Sequence, residues 1–353
     1  MRLVSLMFAV MLYSLSAGAQ DSLKRFRFTG YAEAYFSYDL NRPADNRKPP
    51  FFYSFNRHDQ PRFNIAMVDG SYTSGRFRAN LGLMAGTYSA SNLALEPEIL
   101  RYLYEANIGL RIGEQLWLDA GVMPSHIGLE SAIGKDCISL TRSIMADNSP
   151  YFESGARLSY TKGKWYAALL LLNGWQRIRP IPGNSLPSFG HQLQFKPNER
   201  LTLNSSSFIG TDKPDAERRM RYFHNFYMLF QASGKIDLQF AWDVGAEQKE
   251  KGSSRYHNWW TTVGGFRFKP FPRLWFCTLM EYYADKAGVL TTTDTGLPLQ
   301  TFGFSETADV HINKYLQWRV EWRYLNGRGK IYERNGIPWQ SNNAITTSLA
   351  FSW

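Results

Sequence analysis

Leu316-Gln317-Trp318-Arg319-Val320-Glu321-Trp322-Arg323-Tyr324 alternates apolar with polar or charged side chains, residue by residue. A period of two puts successive side chains on opposite faces of an extended strand. Leu316, Trp318, Val320, Trp322 and Tyr324 therefore share one face, and Gln317, Arg319, Glu321 and Arg323 share the other. In a two-layer sandwich the apolar face turns inward and the charged face meets water. In a membrane barrel the same pattern is inverted, with lipid outside and a polar lumen inside.

Loop rhythm separates the two. Sixteen segments carry strand character, at about 26–38, 62–72, 76–86, 100–112, 116–127, 152–162, 165–176, 189–196, 200–210, 220–232, 236–247, 257–269, 273–284, 301–312, 315–325 and 343–353. Tight turns, such as Thr73-Ser74-Gly75, Lys162-Gly163-Lys164 and Ser233-Gly234-Lys235, use residues suited to reversing the chain. They alternate with long links at 39–61, 87–99, 128–151, 285–300 and 326–342. Short turns at one end and long loops at the other, with an even strand number, are properties of outer-membrane barrels. The expected fold is all-β, a single closed antiparallel transmembrane barrel of about sixteen strands with short periplasmic turns and long extracellular loops.

Composition agrees. The 353 residues include 20 Tyr, 24 Phe and 11 Trp, and aromatic residues form the girdles of such barrels at both bilayer interfaces. Past residue 20 no apolar run approaches the roughly 20 residues of a spanning helix. The N-terminus has the form of a secretory signal, with Arg2, an apolar segment from Leu3 to Leu15, and the small-residue site Ala17-Gly18-Ala19. Cleavage is expected between Ala19 and Gln20, so that the mature chain begins at Gln20. Residues 1–19 are thus expected to be a signal peptide and 20–353 the barrel, in the outer membrane of a Gram-negative bacterium. An N-terminal membrane anchor is the alternative, disfavoured by the short apolar segment. Two cysteines, Cys137 in a loop and Cys277 in a strand, exclude a disulfide scaffold, and a bridge between them is not expected.

The net charge of +10 is spread along the chain rather than gathered in basic runs, which argues against nucleic acid. The last strand places Ile345, Thr347, Leu349, Phe351 and Trp353 on one face. Phe351 and Trp353 are the candidate signal for the outer-membrane barrel assembly machinery.

Phe28-Thr29-Gly30-Tyr31-Ala32-Glu33-Ala34-Tyr35-Phe36-Ser37-Tyr38-Asp39, followed by Asn41 and Pro43, resembles the first strand of the OmpL-like β-barrel porin family of Bacteroidetes-type Gram-negative bacteria. Glu105-Ala106 with Gly109, Leu118-Asp119-Ala120-Gly121, Gly128, Glu130, Gly155 with Ser159-Tyr160, and Asn173-Gly174-Trp175 extend the resemblance through most of the first half. It implies a porin-like channel and names no substrate.

A sixteen-stranded barrel is wide enough for an aqueous channel. The expected function is passive diffusion of small hydrophilic solutes or ions, with a preference for anions because inward arginines outnumber inward acids. The alternative is a structural or adhesive barrel whose loops bind a partner. Candidate pore-lining residues are Arg76, Arg78, Arg142, Glu105, Asp119, Arg319, Glu321 and Arg323, with Arg76, Arg78 and Arg142 as a candidate anion-selecting cluster. For any one arginine, a wall ion pair is the plainer role. The loop Leu129–Tyr151 either folds into the pore or packs over the mouth, and alternation turns Glu306 toward lipid.

The histidines, His58, His126, His191, His224, His257 and His311, are scattered, and no nucleophile, phosphate-loop or metal-ligand motif accompanies them. No catalytic residue, metal or cofactor is expected, and the chain is not expected to be an enzyme. Expected partners are outer-membrane lipids, the assembly machinery and the solutes, and a homo-oligomer is compatible with all of this. Deleting Phe351 to Trp353 should impair barrel assembly, scored by outer-membrane fractionation, far more than removing three residues from a loop tip. Equal tolerance discredits the terminal signal.

Overall fold

The computed structural model describes residues 25–353. The expected signal peptide, residues 1–19, lies outside the described residues, and so do both residues of the expected cleavage site, Ala19 and Gln20. The barrel begins at Phe26, six residues past Gln20, the position from which the barrel region was counted in the sequence. Sixteen strands close into one antiparallel barrel in which each strand pairs with its neighbours in the chain. They are β1 (Phe26–Asp39), β2 (Arg62–Thr73), β3 (Phe77–Ala85), β4 (Leu103–Arg111), β5 (Leu116–Pro124), β6 (Phe152–Lys162), β7 (Trp165–Leu172) and β8 (Ser188–Asn198). Next come β9 (Leu201–Gly210), β10 (Arg221–Ser233), β11 (Ile236–Gln248), β12 (Tyr256–Phe271), β13 (Leu274–Asp285), β14 (Leu299–His311) and β15 (Leu316–Gly327). A two-stranded hairpin in the last loop, β16 (Tyr332–Arg334) and β17 (Ile337–Trp339), precedes the sixteenth barrel strand, β18 (Ser341–Ser352). The seam joins β1 to β18 from Tyr31↔Ser352 to Asp39↔Ala344.

The sixteen segments predicted from sequence all form strands, with ends displaced where local chemistry stops the ladder. Gly75 and Arg76 belong to the β2–β3 turn, and β4 starts late because Glu98–Tyr102 forms a 3-10 turn. Gly174, at φ 148°, stands beyond the end of β7. The β16–β17 hairpin was not foreseen. Its Asn335-Gly336 turn has φ of 50° and 75°, the paired positive values of the tight turn that matches strand twist.

Alternation orders the wall as expected. Trp318, Trp322, Ile345, Leu349 and Phe351 are exposed on the outer face, whereas Arg319, Glu321 and Arg323 point inward. Two polar spots interrupt the outer face. Glu306 faces outward, as its register requires, and accepts a hydrogen bond from Thr278 (2.9 Å). His191, Ser207 and His224 form an outward row across β8, β9 and β10, with His191 Nδ1 2.5 Å from Ser207 Oγ.

Gly121 and Gly155 pair where β5 and β6 approach the third loop, with φ of 129° and 153°. A Cβ at Gly155 would stand 1.9 Å from the Leu171 carbonyl oxygen, so only glycine fits.

Arginine in place of Val320, outward and mid-strand, should cost about 2–4 kcal/mol in equilibrium unfolding from lipid vesicles. A cost near zero would contradict the assigned faces.

Candidate functional site

The site is the lumen, and its shape is set by the third loop, residues 125–151 between β5 and β6. That loop carries Ile127, Ile138, Leu140, Ile144 and Met145, all buried. An apolar segment this rich must be covered, and the barrel interior covers it. The loop crosses the lumen instead of capping the mouth, which settles the two placements that the sequence allowed.

It enters beside β8–β10. His126 donates from Nε2 to the Ser207 carbonyl (2.8 Å), and its Nδ1 lies 2.7 Å from Glu153. Burial works against the charged ring, but the Glu153 carboxylate overrides it, and the His126 pKa is raised. The loop then traverses to the far wall. Lys135 donates its backbone N–H to the Tyr31 hydroxyl (3.2 Å) and its ammonium to Ser352 (3.0 Å).

On that wall, side chains that looked pore-lining are occupied. Arg319 pairs with Asp309 at 2.5 Å and donates to the carbonyls of Gly134 (2.7 Å), Cys137 (3.1 Å) and Ile138 (3.0 Å). Glu321 accepts from the Thr141 N–H (3.1 Å), the Thr141 hydroxyl and Thr307 (3.0 Å). Arg323 reaches Glu281, Thr141 and the Arg142 carbonyl, while Glu281 accepts the Ile144 N–H (2.7 Å). Arg319, Glu321 and Arg323 therefore anchor the loop and do not line open space. Their exposures, 0%, 1% and 4%, decide it.

Arg142 is a second correction. Its guanidinium donates to the carbonyls of Ser131 (2.7 Å) and Ala132 and lies 5.4 Å from the Phe55 ring and 5.8 Å from the rings of Tyr88 and Tyr151. It is fully buried and ties the third loop to the first loop (40–61) and to the short helix α1 (Thr87–Asn92). The expected trio is thus dispersed. Arg76 sits exposed in the β2–β3 turn, Arg78 points inward near that turn end of β3, and Arg142 meets Tyr88 beyond the opposite end. Alternation cannot see this, because Arg76 lies outside the ladder and Arg142 lies in a loop. Arg101 and Arg273 also lie outside the barrel strands.

The opposite wall stays accessible. Arg78 makes a two-pronged contact with Asp119 (2.5 and 2.6 Å), and Arg157 approaches the same carboxylate at 3.4 Å. Both arginine side chains are about a quarter exposed, at 29% and 22%. On the packed side, by contrast, Lys269 at 2.8 Å and Arg267 at 3.9 Å share Asp237, and Arg267 also donates to the Cys137 carbonyl of the third loop (2.8 Å). Glu105 accepts from Asn107 (2.9 Å) and stands across Gly82 from Asp69. Cys137 and Cys277 are buried and free.

The first loop was missed as a site. It packs Phe51 and Phe52 with Ile144, Tyr283 and Tyr332, and Asp147 of the third loop accepts from the Ser54 hydroxyl (2.9 Å). The run Phe51-Phe52-Tyr53 within a charged loop was the available signal. Above it opens a mouth pocket of about 610 Å³, lined by Arg47, Lys48, Arg57, Asp45, Asp294 and Glu333 among others. Burial, then Glu333, Asp45 and Asp39, push the Asp294 pKa up to about 7. Burial lowers Lys48 to about 8 against the opposing pull of Asp39 and Glu321.

A closed sixteen-strand barrel with an apolar outer face, a charged lumen and a loop folded across it is the architecture of an outer-membrane porin-type protein. The family described as "Putative beta-barrel porin-2, OmpL-like" matches residues 25–353, and the chain belongs to it. Curated protein sequences give no match. Among solved structures, the outer-membrane channel DcaP of Acinetobacter baumannii is similar with a TM-score of 0.63 at 10% identity, over 93% of this chain and 97% of that one. An anion-selective porin from Comamonas acidovorans matches with 0.61 at 8% identity, over 93% and 99%. OmpT, an outer membrane protein of Vibrio cholerae described in a trimer form, matches with 0.57 at 9% identity, over 93% and 99%. At such identities the likeness concerns the fold.

Replacing Arg319 by Met should lower unfolding free energy by about 3–5 kcal/mol, because Asp309 is left buried and unpaired. The double variant Arg319→Met/Asp309→Leu should recover part of that loss, and its failure to do so would show the loop carbonyls to be the dominant partners. The mouth should also titrate near neutrality. As pH rises from 6 to 9, Asp294 gains a negative charge and Lys48 loses a positive one, so cation-over-anion permeability measured by reversal potential should rise. A fall would contradict the placement of these groups in the mouth.

Proposed function

We propose that the protein is a passive diffusion channel of the outer membrane for small hydrophilic solutes, with a preference for anions, reached after export on the signal peptide at residues 1–19. The observation that carries the preference is the stoichiometry of the accessible wall. On the open wall Asp119 serves both Arg78 and Arg157, so this cluster holds two guanidiniums against one shared carboxylate, with Asp69 and Glu105 standing apart across Gly82. A cationic, water-facing wall concentrates anions, and salt weakens the effect as the screening length falls from about 10 Å at 0.1 M to about 3 Å at 1 M. The third loop supplies the narrowing that makes such fields matter. No reaction is assigned to the barrel.

The test is conductance of the refolded chain in a planar bilayer, with reversal potentials across a salt gradient. An anion-selective pore is expected, and Arg78→Gln/Arg157→Gln should reduce the anion-to-cation permeability ratio while conductance persists. A cation-selective pore, or an unchanged ratio, overturns the preference. A correctly refolded barrel with no conductance overturns the channel and turns the reading to a surface barrel whose loops bind a partner.

A further inference from the structure

Among the described residues the buried cations Lys48, Arg142, Arg221, Arg319 and Arg323 are each matched by a carboxylate, a carbonyl or a ring, whereas three arginines at the loop end lie together without one. Arg47 and Arg57 face each other across an isolated antiparallel bridge in the first loop. Backbone bonds from Lys48 to the Asn56 carbonyl (3.1 Å) and from His58 to the Asn46 carbonyl (2.9 Å) hold that bridge closed. The Arg57 N–H is pinned to the Tyr35 hydroxyl at 3.1 Å. Arg62 joins them at the start of β2, where its pairing with Tyr35 aims it into the lumen.

Among the described residues none of the three forms an ion pair. Arg62 donates only to Gln60, at 2.6 and 3.2 Å. The three line a cleft of about 340 Å³ with Gln60, Thr87 and Asp45. Asp45 is its one acid, and its Oδ1 already accepts the Arg47 backbone N–H at 3.0 Å. Burial and the proximity of Arg47 and Arg62 depress the Arg57 pKa. Like charges kept this close by a pinned backbone repel unless a counter-charge enters. Guanidinium forks match oxyanions in geometry, and within this cleft three cations face one acid, while Asp294 and Glu333 line the neighbouring mouth pocket that Arg47 and Arg57 also border.

We propose that Arg47, Arg57 and Arg62 form a capture site for small oxyanions of two or more negative charges, phosphate or dicarboxylate, at the loop end of the lumen. The site refines the channel reading by naming a solute class, and it rests on that reading for its role in transport. Its position inside the mouth, with Arg62 facing the lumen, assigns it to dissolved solutes and not to lipid headgroups.

The experiment is calorimetric titration of the refolded full chain with inorganic phosphate and, separately, succinate, with chloride as control. Saturable binding of both dianions and none of chloride is expected. Each of Arg47→Gln, Arg57→Gln and Arg62→Gln should weaken binding by about tenfold, the scale of one charge-assisted hydrogen bond. Arg255→Gln, in another exposed loop, should leave it unchanged. Equal affinity in the triple variant, with barrel closure verified by heat-modifiable electrophoretic mobility, overturns the site, as does the absence of saturable binding. Repeating the phosphate titration in vesicles with and without lipopolysaccharide separates the sources: unchanged affinity supports a dissolved solute, and competition overturns that assignment. Binding is read without current, so a conducting pore that binds nothing sinks the site alone, and a binding protein that does not conduct sinks the channel alone.

Discussion

A guanidinium removed from water must find a partner for each of its donors, and Arg319 sets that condition at the centre of this barrel. Asp309 supplies the charge, but the carbonyls of Gly134, Cys137 and Ile138 supply the rest, and all three belong to the third loop. Arg323, Glu321 and Glu281 repeat the relation with Thr141, Arg142 and Ile144. The wall can bury its charges only because the loop brings backbone groups to them, and the loop can lie in the lumen only because the wall satisfies its backbone. Neither half is stable in that place alone.

This mutual satisfaction divides the interior. On the side of β12–β15 and β18 the loop-end lumen is packed by the third loop and the aromatic residues of the first. Toward β3–β6 the wall keeps water-accessible charge, and passage of a solute belongs there. The same division separates two kinds of arginine. Those under the loop are structural, and those on the open wall and in the mouth carry the field that a solute meets.

Much of this was legible in the sequence because a strand reports its facing with a period of two. The inward placement of Asp119, Glu105, Arg319 and Arg323, and the awkward outward placement of Glu306, follow from parity alone. Function was less legible because parity says which way a side chain points and nothing about what fills the space it points into. Arg319 and Arg78 read identically along the chain, yet one is sealed beneath a loop and the other faces water. Loops have no such period, so Arg142 was misassigned and Arg47 and Arg57 were passed over. The apolar run beside those two was the one local sign that the first loop turns inward.

Lys135 touches Tyr31 and Ser352, and those two residues are directly paired across the seam between the first and last barrel strands. Other wall contacts of the loop, such as those from Ile144 to Glu281 and from Gly134 to Arg319, span 137 and 185 residues of chain. Contacts of that separation form late. The loop's full set of partners exists only once β18 has arrived, so the narrowing of the lumen completes together with the closing of the barrel. Maturation and calibration of the pore are one event: the latch that shuts the cylinder is also the part that sets its bore.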